Sequence, residues 1–353
     1  MINNSFFSTE ILRWFRENGR DLPWRETSDP YAIWLSEIIL QQTRIAQGWE
    51  YWERFMQTYP HVEDLAAASE DDVLKLWQGL GYYSRARNLH AAARQIVALG
   101  EFPNTLDGIK SLKGVGDYTA AAIGSFAFNL PAAVVDGNVY RVLSRYFGID
   151  TPINSTQGKK EFAALAQSLL PASEAAAYNQ GMMDFGAIQC TPQSPKCLLC
   201  PLAETCEALR NGRVEELPVK HKTVKVKTRH LSYVYIRYKA PALESHAEAE
   251  KHAEAESWIA IHRRGEGDIW QGLWEPYNIS DMKELPSFVK DPILLAKDVK
   301  HVLTHRILLA DFYLLEVEEH PSLPDDYIWI KESDIENYGV PRLIEIMLEK
   351  IHQ

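Results

Sequence analysis

The sequence lacks any apolar run long enough to cross a membrane, and its first residues lack the basic and apolar segments of a secretory leader. A transmembrane helix needs about 20 consecutive, mostly apolar residues, and a leader needs both segments. We therefore expect a cytoplasmic protein with no membrane partner. Cysteine is also scarce, since the chain has four and all lie between residues 190 and 206. This clustering argues against a disulfide framework and for a metal or iron–sulfur site in a reducing compartment.

The sequence also has no excess of basic residues, and its formal net charge is −11. Residues 1–228 contribute −2 and residues 229–353 contribute −9, so the acidity is concentrated in the C-terminal part. A near-neutral N-terminal part can still carry a basic groove for nucleic acid, since the local field matters more than the total charge. With 353 residues and 46% hydrophobic content, the chain is long enough for two domains with packed cores.

Residues 112–145 carry the most informative pattern in the sequence. Gly114 and Gly116 allow a tight turn between two helices, and Asp117 is predicted to cap the second helix. The free N–H groups of such a turn suit a phosphate, although an ordinary turn between buried helices has the same pattern. Asp136 follows an apolar run and opens another helix. A phosphate-binding turn close in sequence to a carboxylate indicates an enzyme that acts on a nucleic acid.

A second candidate acid lies in the helix predicted over residues 29–44, which opens with a capping Asp-Pro pair. Glu37 lies on an apolar face of this helix, one turn after Ile33. A carboxylate there is costly when charged, so we expect a raised pKa and an acid that works near neutral pH. The alternatives are a glutamate on a solvated face and an ion pair with Arg25 or Arg44.

Three further segments favour contact with DNA without requiring it. The polar break at residues 41–43 suits contact with bases or a plain helix end. The aromatic turn at residues 79–83, followed by arginines, suits stacking and a phosphate backbone, with a buried tyrosine pair as the alternative. The basic run at residues 218–230 is interpreted as an interdomain linker. Trp24 by itself favours core packing.

The four cysteines are separated by six, two and five residues. Four thiolates this close in sequence can hold an iron–sulfur cluster or a zinc ion. We therefore predict a metal site formed by Cys190, Cys197, Cys200 and Cys206.

The C-terminal part has the pattern of a sheet. Strands are predicted over residues 231–238, 258–262, 299–304 and 307–316, a tight aromatic turn over 270–275, and a closing helix over 340–352. A repeated His-Ala-Glu-Ala-Glu sequence within residues 246–256 is interpreted as a solvated insertion in a hairpin.

Together these segments resemble the helix-hairpin-helix DNA glycosylases and, among them, the MutY-type adenine DNA glycosylases. The resemblance is carried by residues 34–43, 79–83, 112–119, 135–139 and the cysteine spacing. It implies a multidomain bacterial protein with an all-α glycosylase domain over residues 1–217, the linker 218–230, and an α+β Nudix-like domain over residues 231–353. It also implies a [4Fe–4S] cluster on the four cysteines and a monomer that acts at the nucleoid.

The resemblance implies an activity and a set of site residues. Such enzymes remove adenine mispaired with 8-oxoguanine or guanine after flipping it from the duplex. Glu37 is expected to protonate the adenine and Asp136 to stabilise the sugar cation, assisted by Tyr118 and Asn138. The expected base pocket consists of Arg20, Trp24, Arg25, Leu40, Gln180 and Met183. The expected DNA contacts are Gln42, Thr43, Tyr82, Gly114, Gly116, Thr304 and His305.

The chain also departs from related patterns. Tyr118 stands where endonuclease III-type enzymes carry a lysine, so we expect no lyase step. Leu303-Thr304-His305 replaces the usual Phe-Ser-His, and the catalytic Nudix box is missing. The alternatives are a glycosylase for thymine mispairs or oxidised pyrimidines, a noncatalytic iron–sulfur DNA-binding protein and a Nudix-type nucleotide hydrolase. Glu37 with Asp136 argues against the noncatalytic alternative, and the missing box argues against the hydrolase.

Overall fold

The computed structural model describes residues 4–221, 226–240 and 256–352. Lys222 and Lys225 of the predicted linker, and all of the His-Ala-Glu-Ala-Glu repeat except Glu256, lie outside the described residues. The chain divides into two compact units, one of residues 1–67 and 88–223 and one of residues 68–87 and 224–353. In the described ranges no helix is long and apolar enough to span a membrane.

The first unit is helical. Its helices are α1 Asn4–Asn18, α2 Pro30–Ile39, α3 Ile45–Thr58, α4 Val62–Ala67, α7 Leu106–Lys110, α8 Asp117–Phe128, α9 Gly137–Phe147, α10 Thr156–Leu169, α11 Ala175–Asp184 and α12 Glu207–Arg210. Two further helices, α5 Glu70–Leu76 and α6 Ser84–Leu99, lie in or begin in the segment that belongs to the second unit. A π-helical turn, Phe185–Gln189, continues α11.

The core of the first unit forms where α1, α9, α10 and α11 meet. Phe7, Ile11, Leu143 and Phe162 are completely buried there. Their positions on each helix repeat at three- and four-residue intervals, which places one apolar face of each helix inward. This packing fixes the N-terminal end of α9, where Asp136 lies.

Two helix predictions need correction. The helix predicted to run to Arg44 ends at Ile39, because Gln42 adopts a left-handed backbone conformation with φ +58° that a right-handed helix cannot contain. The chain then starts α3 at Ile45. Asp117 does not cap α8, since it is the first residue of the helix and its carboxylate pairs with Lys110 instead.

The second unit is built on a mixed sheet. Its strands are β1 Lys227–Lys239, β2 Ser257–Arg263, β3 Trp274–Glu275, β4 Tyr277–Asn278, β5 Ile293–Leu303, β6 Arg306–Val317 and β7 Tyr327–Lys331, and α13 Arg342–Ile351 follows them. The central order is β3-β2-β1-β6-β5, with β4 beside β1 and β7 beside β2. Strands β1 and β6 are parallel, and the remaining pairs are antiparallel. The β1–β2 pair is the predicted hairpin.

The sequence placed the main strands of this sheet but missed β7 and the short strands β3 and β4, and it underestimated β1 and β5. Strand β1 begins at Lys227, inside the predicted linker, because its first residues pair with β6 from Arg306 onward. The second unit also includes residues 68–87, which come from the middle of the predicted helical domain. The domain limits given above stay a prediction.

Candidate active site

Helix α2 is buried on all sides from Tyr31 to Ile39, and Glu37 within it is 7% exposed. Its carboxyl group receives a hydrogen bond from the hydroxyl of Tyr118, with 3.3 Å between the oxygens. Burial raises the pKa of Glu37 to about 7, and the Tyr118 hydrogen bond and the charge of Arg25 oppose this rise. In the part of the chain that the structure describes, neither Arg25 nor Arg44 forms an ion pair with Glu37. The geometry thus matches the expected buried acid.

Asp136 is the N-cap of α9, as its position after an apolar run predicted. One carboxylate oxygen accepts from the Val139 N–H at 2.8 Å, and the other accepts from the Asn138 side-chain amide at 2.8 Å. Burial raises the pKa of Asp136, while these hydrogen bonds and the charge of Arg141 oppose the rise. The N-terminal end of a helix also favours negative charge. Asp136 therefore has partners for its ionised form that Glu37 largely lacks.

Asn138 is held in turn by Arg141, a residue to which the sequence analysis gave no role. The Arg141 guanidinium donates to the Asn138 side-chain oxygen at 2.9 Å and to the backbone oxygens of Gly186 at 2.6 Å and Cys190 at 2.8 Å. A Cβ on Gly186 would lie 2.5 Å from the Cβ of Asn138, so the close approach requires glycine. This network orients Asn138 toward Asp136.

A small cavity of about 50 Å³ opens beside Glu37. All six side chains expected to form the base pocket line it: Arg20, Trp24, Arg25, Leu40, Gln180 and Met183. Sequence reasoning gave no pocket role to five further lining residues: Leu22, Ile33, Ser36, Ile45 and Phe126. The cavity has room for a few water molecules, so it must widen to admit a purine.

Trp24 has both roles that the sequence left open. It is buried and packs edge-on against Trp49 and Trp52, with ring centroids 5.8 and 5.7 Å apart, and it also lines the cavity. Arg20 and Arg25 both bind the carboxylate of Asp184, which is completely buried. The sequence analysis did not single out Asp184, although a lone carboxylate within an otherwise apolar segment was a usable signal.

The predicted helix-hairpin-helix consists of α7, the turn that contains Gly114, and α8. Gly114 has φ +78°, and a Cβ there would lie 2.6 Å from Asn88, so the turn requires glycine. Gly116 is the N-cap of α8, and a Cβ there would meet no atom within 4 Å. The chain at Gly116 thus has open space beside it at the N-terminal end of α8, which leaves room for a phosphate to approach the backbone.

Gln42 and Thr43 lie in the short connection between α2 and α3. The Gln42 side chain is exposed, and its left-handed backbone departs from the conformation that a glutamine prefers. Gln41 anchors this connection, because its side-chain amide donates to the Thr119 hydroxyl at 3.2 Å. Backbone strain of this kind is frequent at functional sites.

The second unit contains a cleft of about 520 Å³, which we call the C-terminal cleft. Its lining includes Tyr82, Thr304 and His305, the three predicted DNA contacts of this unit. The hydroxyl groups of Tyr82 and Thr304 form a hydrogen bond with each other. Tyr82 is 43% exposed and has a left-handed backbone, whereas Tyr83 is buried. Trp270 also lines this cleft at φ +61° and was not predicted there.

The four cysteines line one cavity, together with the buried Arg145. Arg145 donates to the Cys190 sulfur at 3.4 Å. In the described ranges no three His, Cys, Asp or Glu side chains are arranged to hold a single metal ion. Four thiols around one cavity are the donor set that an iron–sulfur cluster uses. Burial raises the pKa of Cys200 to about 12, and a cationic metal group would favour its thiolate form.

Three family models match the chain. A model described as HhH-GPD superfamily base excision DNA repair protein matches residues 35–171. A model for the iron–sulfur binding domain of endonuclease III matches residues 190–206, and a NUDIX domain model matches residues 252–350. These matches confirm the predicted fold class, a helical glycosylase part with a C-terminal Nudix-like part, and the iron–sulfur assignment of the cysteines.

Individual proteins are similar over different lengths. The adenine DNA glycosylase of Buchnera aphidicola subsp. Acyrthosiphon pisum is 31% identical over 97% of this chain and 97% of its own length. The human adenine DNA glycosylase is 41% identical over 60% of this chain, which corresponds to 41% of the human protein. The structure of a thermostable thymine-DNA glycosylase has a TM-score of 0.55 and 34% identity, and covers 59% of this chain and 97% of that one.

The helical unit, its helix-hairpin-helix and the match to the HhH-GPD model define a base excision repair protein of the helix-hairpin-helix class. The near full-length match to the Buchnera protein extends this to both parts of the chain, and the chain belongs to the adenine DNA glycosylase family.

Proposed function

We propose that this protein excises adenine from duplex DNA where adenine is paired with 8-oxoguanine or guanine. The observation that carries the proposal is the combination of two carboxyl groups. Glu37 lines the base pocket with a pKa of about 7, and Asp136, whose charge helps to raise that pKa, lies at a helix N-terminus. The family supports the adenine specificity. We also propose that the protein acts as a monomer in the bacterial cytoplasm. The bacterial setting is supported by the Buchnera relative.

Glu37 supplies the proton in this mechanism. Hydrolysis of an N-glycosidic bond leaves an electron pair on the base, and protonation of a ring nitrogen makes the base a better leaving group. An acid with a pKa of about 7 is about half protonated at neutral pH, whereas an ordinary glutamate is almost fully ionised. Glu37 then guides the attacking water as its conjugate base.

Asp136 stabilises the positive charge that develops on the sugar when the bond breaks. Its hydrogen bonds from Val139 and Asn138 fix the carboxylate before the reaction starts, so no reorganisation is needed in the transition state. Tyr118 assists by keeping Glu37 oriented through its hydroxyl group. The two carboxyl groups thus divide the work as in glycoside hydrolysis.

The base pocket receives the flipped adenine. Trp24 and Leu40 provide apolar surfaces for the ring, with Met183 beside them, and Arg20, Arg25 and Gln180 provide polar groups for its edge. Since the cavity holds about 50 Å³ in this structure, entry of the base requires side chains to move.

The opposite strand and the phosphate backbone are contacted elsewhere. Gln42 and Thr43 approach the duplex from the first unit, and the N-terminal end of α8 at Gly114 and Gly116 binds a phosphate. The C-terminal cleft inspects the base opposite adenine. Its hydroxyl groups suit 8-oxoguanine, whose altered edge has both a donor and an acceptor.

Two further features complete the proposal. Tyr118 has no amine for a Schiff base, so the enzyme is a glycosylase without lyase activity. Cys190, Cys197, Cys200 and Cys206, which line one cavity, would hold a [4Fe–4S] cluster through their thiolate forms.

A panel of duplexes tests the proposal. Each carries one target pair, either adenine opposite 8-oxoguanine, adenine opposite guanine, thymine opposite guanine, or an oxidised pyrimidine opposite guanine, and abasic sites are scored under single-turnover conditions. We expect release of adenine from the first two and fastest from the first. Preferential release of thymine would assign the specificity of the structural relative. Binding without release of any base would leave a noncatalytic DNA-binding protein.

A further inference from the structure

Asp184 lies behind the base pocket at the end of α11 and does not line the cavity. Its carboxylate is completely buried and binds two guanidinium groups. It accepts from the backbone N–H of Arg20 at 2.9 Å and from the Arg20 side chain, whose Nε lies at 2.8 Å. It also accepts from both terminal nitrogens of Arg25, at 2.8 and 2.9 Å. A single carboxylate therefore anchors both cations of the pocket.

Arg25 is fixed on three sides. In addition to Asp184, it donates to the backbone oxygen of Arg20 at 3.0 Å, and its guanidinium lies 5.6 Å from the centroid of the Phe15 ring. A guanidinium held at two nitrogens by one carboxylate has little freedom to turn. Burial opposes ionisation of Asp184, but the hydrogen bonds and charges of Arg25 and Arg20 outweigh it and keep the pKa of Asp184 below its ordinary value.

Glu37 lines the same cavity as Arg25 and is close enough for the charge of Arg25 to lower its pKa. The groups that face Glu37 come from three elements: Arg25 from the turn before α2, Tyr118 from α8 and Asp136 before α9. A direct ion pair with Arg25 would hold Glu37 in its ionised form, and an ionised carboxyl group has no proton to donate.

We propose that Asp184 is a positioning residue that keeps Arg25 away from Glu37 and thereby leaves Glu37 free to carry the proton. The inference rests on the proposed role of Glu37 as the acid. Asp184 acts through Arg25 and touches neither the base nor the sugar. The competing explanation is that Asp184 only ties the turn before α2 to α11 for stability.

The two explanations differ in the pH dependence of base release. Glu37 donates its proton below its pKa, so the wild-type rate falls as the pH rises through about 7. A cation at ion-pair distance lowers a carboxyl pKa by roughly 1–3 units. In Asp184→Asn we therefore expect the midpoint of this limb to move down by about 1–3 pH units, with duplex affinity within a few-fold of wild type. A purely structural role lowers the amount of active enzyme and leaves the midpoint in place.

The experiment follows single-turnover release of adenine opposite 8-oxoguanine between about pH 5 and pH 9. In Asp184→Asn/Arg25→Gln the competing cation is gone, so the midpoint should return to the wild-type position or above it. The matched control is Glu174→Gln, which breaks the exposed Arg16–Glu174 pair, 2.6 Å long, and should leave the midpoint unchanged.

Partial misfolding of a variant does not obscure the result, because the pH midpoint of base release does not depend on the fraction of enzyme that is active. If Asp184→Asn does not fold, Asp184→Asn/Arg20→Gln removes one charge of each sign and still releases Arg25, and the same downward shift is expected. A wild-type midpoint in a folded Asp184 variant overturns the inference. The proposed function fails separately, if the wild type releases no adenine or if Glu37→Gln remains active.

Discussion

The hydroxyl groups of Tyr82 and Thr304 form a hydrogen bond between two residues that are 222 positions apart in the chain. Both side chains line the C-terminal cleft, although they were predicted as separate DNA contacts. Tyr82 reaches this position from a left-handed backbone, and the guanidinium of Arg85 lies 5.7 Å from its ring centroid. The two hydroxyl groups therefore act as one unit in the proposed inspection of the base opposite adenine.

This pairing predicts the behaviour of two variants. Thr304→Val and Tyr82→Phe should each reduce the preference for 8-oxoguanine over guanine several-fold, since one neutral hydrogen bond is worth about 0.5–1.5 kcal/mol. The double variant should be little worse than either single one, because both substitutions break the same bond. Thr304→Ser keeps the hydroxyl group and is the control. Fully additive losses in single-turnover rate ratios would show that the hydroxyl groups act independently.

Glu37→Gln should abolish adenine release and leave mispair binding within a few-fold of wild type, because the proton is needed mainly in the transition state. The wild-type rate should fall as the pH rises through about 7, since the pKa of Glu37 is raised to that value by burial. Gel-shift and single-turnover measurements on the same preparations check both statements. A variant that cleaves at a near-normal rate contradicts the assignment of the acid.

Asp136 has two roles, as a cap and as a charge, and two substitutions separate them. Asn caps a helix about as well as Asp, so Asp136→Asn should change the free energy of unfolding little, whereas Asp136→Ala should cost about 0.5–2 kcal/mol. Both should lower the rate of base release by about two orders of magnitude or more, because both remove the charge. Thermal melts measure the change in stability, and single-turnover rates measure the loss of base release. If Asp136→Asn retains activity, the carboxylate serves the helix alone.

The cysteine cavity predicts a brown protein with about four irons per chain when it is purified anaerobically. Cys200→Ser should lose iron and stability together, because the half-buried Cys200 thiol has a raised pKa and depends on the metal for its charged form. Metal analysis and visible absorbance are the measurements. Stoichiometric zinc without iron, in a sample not treated with chelator or oxidant, would overturn the cluster assignment.

The wild type should cleave a labelled strand only after alkali or heat, since Tyr118 offers no amine to the abasic sugar. Borohydride should therefore trap little covalent protein–DNA complex, while an endonuclease III-type enzyme serves as the positive control. Efficient trapping of the native protein is the result that contradicts a monofunctional enzyme.

Features that depend on near neighbours in sequence could be predicted from the sequence. The 3.6-residue period of α2 placed Glu37 among apolar neighbours but left a solvated face or an ion pair open, and the burial of the whole helix from Tyr31 to Ile39 decided between them. The cap at Asp136 followed from its place at the start of α9. The cysteine spacing indicated the metal site for the same reason, since ligands a few residues apart share one cavity. The need for glycine at position 114 could also be predicted, because the tight turn requires its positive φ.

The tertiary structure decided the contacts that join distant segments. Periodicity did not reveal that Asp184 binds Arg25 rather than leaving it for Glu37, or that residues 68–87 pack with the C-terminal unit. It likewise did not reveal the left-handed backbone of Gln42, which a glutamine adopts only when its surroundings compensate the strain. The sequence alone determined which side chains carry the proposed chemistry. Packing determined their partners, because a contact between distant residues depends on the whole set of helices and strands that brings them together.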